Sequence, residues 1–260
     1  MSAPVKLLWT SGSDSTFRLL QILLIQKRMV QPYYVMDRVR KSFDMEIKSM
    51  EKIRRLIFIK DPNARKLLLP TIFKELAEIK PNKVITEKYQ RLASLDRLGG
   101  QYEWLPRFAE EAKIYDLELS LTSGEHSDSY FKRFLKPSLE KESDGDFFNY
   151  KLRENPQNTD LSIFKYFRFP IIEWSKLEMQ EIAKENDFFD IMEHTWFCHS
   201  PINGSPCGIC QPCKIAIKEG MERRIPLSGR VRNFAQFTLK PLLKHKVLIP
   251  LRLMPKVDFK

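Results

Sequence analysis

"LLWTSGSDSTF", residues 7–17, sets a polar, glycine-bearing turn between two apolar segments. The run Val5–Trp9 ahead of it has the large side chains of a buried strand. "STFRLLQILLIQKR" behind it has the apolar periodicity of a helix from about Ser15 to Arg28. A strand that turns sharply into a helix builds an anion site from the first helical N–H groups. The loop supplies Gly12 for close approach, hydroxyls at Thr10, Ser11, Ser13, Ser15 and Thr16, and a carboxylate at Asp14 for a metal such as Mg²⁺. It has no lysine, so the Walker pattern is absent.

Outward from this loop the elements alternate. "VQPYYVMD" is a second strand ending near Asp37, and "MEIKSMEKIRRLIFI" follows as a helix. "YEWLPRFAEEAKIY" is another helix, and "LELSL" a third strand closing at Leu121. This order predicts an α/β fold, a doubly wound parallel sheet with helices on both faces. From Lys132 to Leu161 the chain is polar and broken by Pro, Gly and Asn, which predicts a loop, a lid or an excursion. "FRFPIIEW" restores order, and Ser175 with Glu178 forms a capping box at the start of "SKLEMQEIAKEN".

The 4 cysteines share one window, "CHSPINGSPCGICQPC", as Cys198, Cys207, Cys210 and Cys213 in a C-x8-C-x2-C-x2-C pattern. Such clustering predicts a closed four-thiolate Zn²⁺ site with a structural role. The same ligands could hold an iron–sulfur cluster, which the spacing leaves open. His194 and His199 flank the window and stand outside the ligand set.

The 260 residues hold 44 Lys and Arg against 33 Asp and Glu, a net +11, much of it after residue 229, where Arg230, Arg232, Lys240, Lys244, Lys246, Arg252, Lys256 and Lys260 face one acid, Asp258. That excess suits a polyanion, and a solvated tail or a subunit contact explains it as well as nucleic acid does. No apolar run is long enough to span a membrane, and the first residues lack the pattern of a signal peptide, so a cytoplasmic protein with no membrane partner is expected.

Two motifs carry a resemblance. "TSGSDS" resembles the S-G-G-x-D-S loop of the PP-loop ATP pyrophosphatases. Thr10 stands at the first serine and Gly12 at the second glycine. Ser11 replaces the first glycine, a place a serine fills when its φ is negative. "TWFC" with "CGICQPC", preceded by "FPIIEWSKLEMQEIA", resembles the zinc unit of 7-cyano-7-deazaguanine synthases, and "LTSGEHSDSY" at 121–130 is similar to a substrate loop of that family.

The resemblance implies a Rossmann-like PP-loop domain over 1–185, a zinc unit over 186–228 and a basic tail over 229–260. It implies an ATP-dependent ligase that adenylates 7-carboxy-7-deazaguanine and converts it with ammonia to the amide and nitrile, in queuosine biosynthesis. Thr10 to Thr16 would hold ATP, joined by Asp37 at the adenosine. Asp14, Ser15 and Lys176 would serve the chemistry, and Glu125, Asp128, Trp196, Tyr102 and Arg107 would meet the deazapurine. Other readings remain open: transfer of the acyl group to another amine such as one on a protein partner, a tRNA-modifying PP-loop enzyme, and a non-catalytic nucleotide-binding scaffold. A homodimer is likewise open.

Overall fold

The computed structural model describes residues 3–122, 130–145 and 147–236. Glu125, Asp128 and the tail beyond 236 lie outside the described residues. Two compact units divide the chain, Met1–Val39 with Glu46–Trp196, and Arg40–Met45 with Phe197 onward. The boundary expected at 185/186 therefore falls between Trp196 and Phe197. Residues 229–234, expected as the start of a tail, are helical within the second unit.

The first unit holds a seven-stranded sheet, β1 (Val5–Leu8), β2 (Val30–Met36), β3 (Ile72–Glu75), β4 (Leu117–Glu118), β5 (Leu139–Asp144), β6 (Phe147–Leu152) and β7 (Phe167–Arg168). Their order in space is β3-β2-β1-β4-β7-β6-β5. The strands β3, β2, β1, β4 and β7 are parallel, while β6 runs antiparallel to β7 and β5 to β6. The chain moves outward from β1 through β2 to β3, then returns to the other side of β1 with β4. The order reverses between β1 and β4, where doubly wound sheets open a crevice at the carboxyl ends of the strands.

The α-helices among the described residues are α1 (Ser13–Leu20), α2 (Phe43–Lys60), α3 (Ala64–Leu67), α4 (Lys83–Leu95), α5 (Gln101–Glu111), α6 (Lys176–Glu185), α7 (Phe189–Met192), α8 (Gln211–Lys218) and α9 (Leu227–Phe234). A wider π turn, Gln21–Ile25, continues α1, so the first helix ends before the expected Arg28.

Side chains alternate across a strand, and β4 shows how both faces are covered. Leu117 and Leu119 join a core with Leu105 and Phe108 of α5 and with Phe164, Phe167 and Phe169. Glu118, between them, turns to the opposite face and meets Arg18 of α1. On that face Phe17 packs against Trp174 and Phe188, with ring centroids 5.6 and 6.1 Å apart.

The stretch 132–161 departs from the loop or lid expected of it, because β5 and β6 form a hairpin that extends the sheet. In "LEKESD" every residue after Leu139 is charged or polar, which is how sheets protect an outermost strand from pairing with other chains. That chemistry removes the apolar alternation by which a strand is recognised. β3 carries little strand signal in sequence for a related reason, its four residues being partly or fully exposed on an edge.

Candidate active site and cysteine cluster

β1 ends at Leu8, and the loop that follows lies at the carboxyl edge beside the reversal of strand order. Its hydroxyls divide into two sets. Thr16 Oγ1 is buried and accepts the Trp9 indole N–H at 3.1 Å. Ser15 Oγ accepts the Thr10 N–H at 3.2 Å, bonds to Thr10 Oγ1 at 3.3 Å and reaches the Gly12 carbonyl at 3.4 Å. These groups brace the turn from inside. Ser13 and Asp14 face the other way, with Ser13 Oγ donating to Asp14 Oδ1 at 2.9 Å.

Lys176 comes to this pair from the opposite end of the unit. Its Nζ donates to Ser13 Oγ at 3.2 Å and forms an ion pair with Asp14. The capping box fixes the approach: Ser175 Oγ accepts the Glu178 N–H, and Glu178 returns a carboxylate oxygen to the Ser175 N–H at 2.7 Å. The Ser175 main-chain N–H, and after it the Ser175 hydroxyl, hold the Glu178 carboxyl below its ordinary range. Lys176 is the first residue of α6, so a cation is set beside the amino end of α1, where N–H groups already favour an anion.

Gly12 is the N-cap of α1 with φ −67°, and a methyl group built on it would meet only Thr10 Oγ1 at 3.5 Å and the Trp196 carbonyl at 4.0 Å. The protein itself leaves room there. Ser11 differs from its expectation: its φ is +56°, in the left-handed region, and not negative. Its carbonyl is pinned by the Trp196 N–H at 2.9 Å, which holds the strained turn in place. Trp196, expected to stack on a base, is thus tied to the loop through its main chain.

Asp37 lies at the same edge, after β2, and accepts the Val39 N–H at 3.2 Å to close a turn. Tyr102 and Arg107 belong to α5. The Tyr102 ring packs edge-on against Phe131 in the core, and burial pushes its hydroxyl pKa up. Arg107 pairs with Glu103 at 2.8 Å. These contacts are within α5 and with Phe131, and none of them is with the loop.

The support beneath the loop is an ion pair between positions a hundred residues apart. Arg18 and Glu118 form a bidentate pair at 2.7 and 2.8 Å, both side chains almost wholly buried. Gln21 accepts from Arg18 at 2.6 Å, and Asn149 donates to Glu118 at 3.1 Å. One signal was legible: Arg18 is the only charge in the apolar stretch "FRLLQILLIQ".

In the second unit the four Sγ atoms lie within 4.8 Å of one another. Cys207 and Cys213 are 3.9 Å apart, and Cys210 and Cys198 3.8 Å. Four thiolates at about 2.3 Å from a tetrahedral Zn²⁺ would be separated by about 3.8 Å, so the cluster can hold a metal ion such as zinc. Cys207 Sγ accepts the Ile209 and Cys210 N–H groups at 3.4 and 3.3 Å, and Cys198 Sγ the Cys207 N–H at 3.2 Å. The neighbouring Cys213 thiol holds the Cys198 thiol below its ordinary pKa, and the same contact raises that of Cys213.

The knuckle depends on Gly208, whose φ is +83° and whose added Cβ would lie 2.0 Å from the Gly229 carbonyl oxygen. α9 closes over it, with Arg232 Nε donating to the Cys207 carbonyl at 3.0 Å and Asn233 to that of Gly208 at 2.8 Å.

Among the described residues no helix is long and apolar enough to cross a membrane. Comparison with protein-family models and with curated proteins finds no match for the chain.

Proposed function

We propose that this chain is a PP-loop ATP pyrophosphatase with a Rossmann-like nucleotide domain, an ATP-dependent ligase of the 7-cyano-7-deazaguanine synthase type. One observation carries the reading of the loop: Lys176 is set by a capped helix onto Ser13 and Asp14 at the amino end of α1. The position at the reversal of strand order supports it, because that is where such sheets bind nucleotides.

A carboxylate is a poor electrophile until one oxygen becomes a leaving group. In the proposed reaction a carboxylate oxygen of 7-carboxy-7-deazaguanine attacks the α-phosphorus of ATP. The bond to the bridging oxygen breaks, and pyrophosphate leaves with the charge. The N–H groups that open α1 would meet that charge without reorienting, which is the main source of such stabilisation, and the Lys176 ammonium, held on Asp14 in the free protein, would turn to it. Asp14 is the residue that would hold Mg²⁺, a cation that offsets phosphate charge when bound. Once Lys176 turns to phosphate, the Asp14 carboxylate keeps the Ser13 hydroxyl as a donor. Ammonia then displaces AMP from the acyl carbon to give the amide, and a second activation at the amide oxygen, with loss of AMP and protons, gives the nitrile. The acyl half rests on the sequence resemblance, since Glu125 and Asp128 lie outside the described residues.

The grouping of all four cysteines supports a structural Zn²⁺ and disfavours a tRNA-modifying enzyme that needs free thiols. Mass spectrometry of the protein with ATP, Mg²⁺ and 7-carboxy-7-deazaguanine, with and without ammonia, tests the reaction. The expected result is AMP, pyrophosphate and a product of amide or nitrile mass. An acyl group found on a protein amine would redirect the reading to a protein acceptor, and no AMP under any condition would refute the ligase.

A further inference from the structure

The helix α9 packs the reverse way from an ordinary surface helix, which turns its apolar stripe inward. At about 100° per residue, Leu227, Val231 and Phe234 fall within about 60° of one another, and Gly229, Arg232 and Asn233 fall on the opposite side. The polar side is the one that faces the cysteine knuckle. Gly229 is buried against Gly208, Arg232 Nε donates to the Cys207 carbonyl, and Asn233 Nδ2 donates to that of Gly208. The apolar side is open to solvent, with Leu227 71%, Val231 57% and Phe234 54% exposed. Apolar residues exposed singly are ordinary, but three in one stripe mark a contact surface.

The charge around the stripe decides what can lie on it. Arg230 is exposed and flanks the stripe on α9. From Arg223 to Val257 the sequence contains no Asp or Glu, and after α9 it interleaves Leu, Val and Ile with Lys240, Lys244, Lys246, Arg252 and Lys256. A second copy would bring the same cations against the stripe, and so would the chain's own last residues, so like charge opposes both. A nucleic acid would satisfy the cations through its phosphates and leave Leu227 and Val231 in water. An anionic bilayer answers both features: acyl chains take the stripe, and headgroup phosphates and carboxylates take the cations over as wide an area as the basic segment can reach.

We propose that α9 docks on an anionic lipid surface, with Leu227, Val231 and Phe234 entering the interface and Arg230 and the basic residues after it meeting the headgroups. Such a contact lies on the bilayer and crosses nothing, so it needs no spanning helix and replaces the expectation of no membrane partner. A short apolar stripe and a basic segment each bind a bilayer weakly, and stable docking takes both signals together. The contact is independent of the reaction proposed above, because none of its residues belongs to the loop after β1 or to α6.

The test is sedimentation of the full chain with vesicles of phosphatidylcholine mixed with phosphatidylserine, and with vesicles of phosphatidylcholine alone. Two variants accompany the parent: Leu227→Ser with Val231→Ser and Phe234→Ser, and Lys240→Gln with Lys244→Gln and Lys246→Gln. The parent should bind the mixed vesicles and not the neutral ones. The serine variant should bind at least about tenfold more weakly with Tm held or raised, because the side chains it changes face solvent. The glutamine variant should lose about fivefold for each cation removed, and added salt should shrink that difference. A parent that ignores the mixed vesicles would overturn the proposal, as would a serine variant that binds them like the parent, which would leave charge alone as the cause. Loss of Tm in the serine variant would show that the stripe is covered by the fold. Serine substitutions that turn a dimeric parent into a monomer would assign the stripe to a second copy and overturn the lipid contact.

Discussion

The Arg18–Glu118 pair shows how much of the site's support depends on single side chains. Both ions are almost wholly buried, and Gln21 accepts a further bond from Arg18 while Asn149 donates one to Glu118. Breaking such a pair leaves one charge uncompensated, whereas replacing both ends with apolar groups of similar volume removes the problem. Arg18→Met alone should cost about 3–5 kcal/mol, and Arg18→Met with Glu118→Leu distinctly less, as read from urea unfolding. Equal losses would mean the two charges are not coupled. In the second unit Gly208 is equally exacting, since an alanine would meet both a φ of +83° and the Gly229 carbonyl. Gly208→Ala should destabilise the cysteine unit by at least about 2 kcal/mol and lower the metal bound per chain, measured by elemental analysis. Normal metal content in a stable variant would show that α9 does not close on the knuckle.

At the scale of elements, the capping box of α6 aims Lys176, and its contribution has a pH signature. The Glu178 carboxyl is lowered in the folded state, so its stabilisation is fully present above the ordinary carboxylate range. It is lost as pH falls through the depressed folded value. Ser175→Ala should cost about 1 kcal/mol at neutral pH. The pH signature belongs to Glu178→Ala, which removes the carboxylate that the Ser175 N–H binds: its difference from the parent should shrink below about pH 4, followed by chemical unfolding across that range, and a pH-independent difference would contradict the box. This box was legible in sequence because Ser175 and Glu178 lie three apart before an apolar run, as was the turn from β1 into α1. The β5–β6 hairpin was not legible, because the charges that protect an outer strand also erase its alternation. Nor was the left-handed Ser11, since nothing in "TSGSDST" marks a serine forced into φ +56° by a main-chain bond from Trp196. Lys176 beside Asp14 is a contact across 162 positions, visible in sequence only as two separate motifs.

For the whole molecule, the order β3-β2-β1-β4-β7 brings the loops after β1, β2, β4 and β7 to one edge of the sheet. The loop with Ser13 and Asp14, the turn with Asp37 and the helix start with Lys176 follow from that order, although residues 14 and 176 come from opposite ends of the unit. The measurement that tests the central claim most directly is the exchange of radiolabelled pyrophosphate into ATP, which reports adenylation without any later step. With Mg²⁺ and 7-carboxy-7-deazaguanine the parent chain should catalyse exchange that needs the carboxylate. Lys176→Met should lower it by about a hundredfold, the scale of removing one preorganised donor from a developing charge. Exchange that is absent in the parent chain, or unchanged in Lys176→Met, would contradict the account.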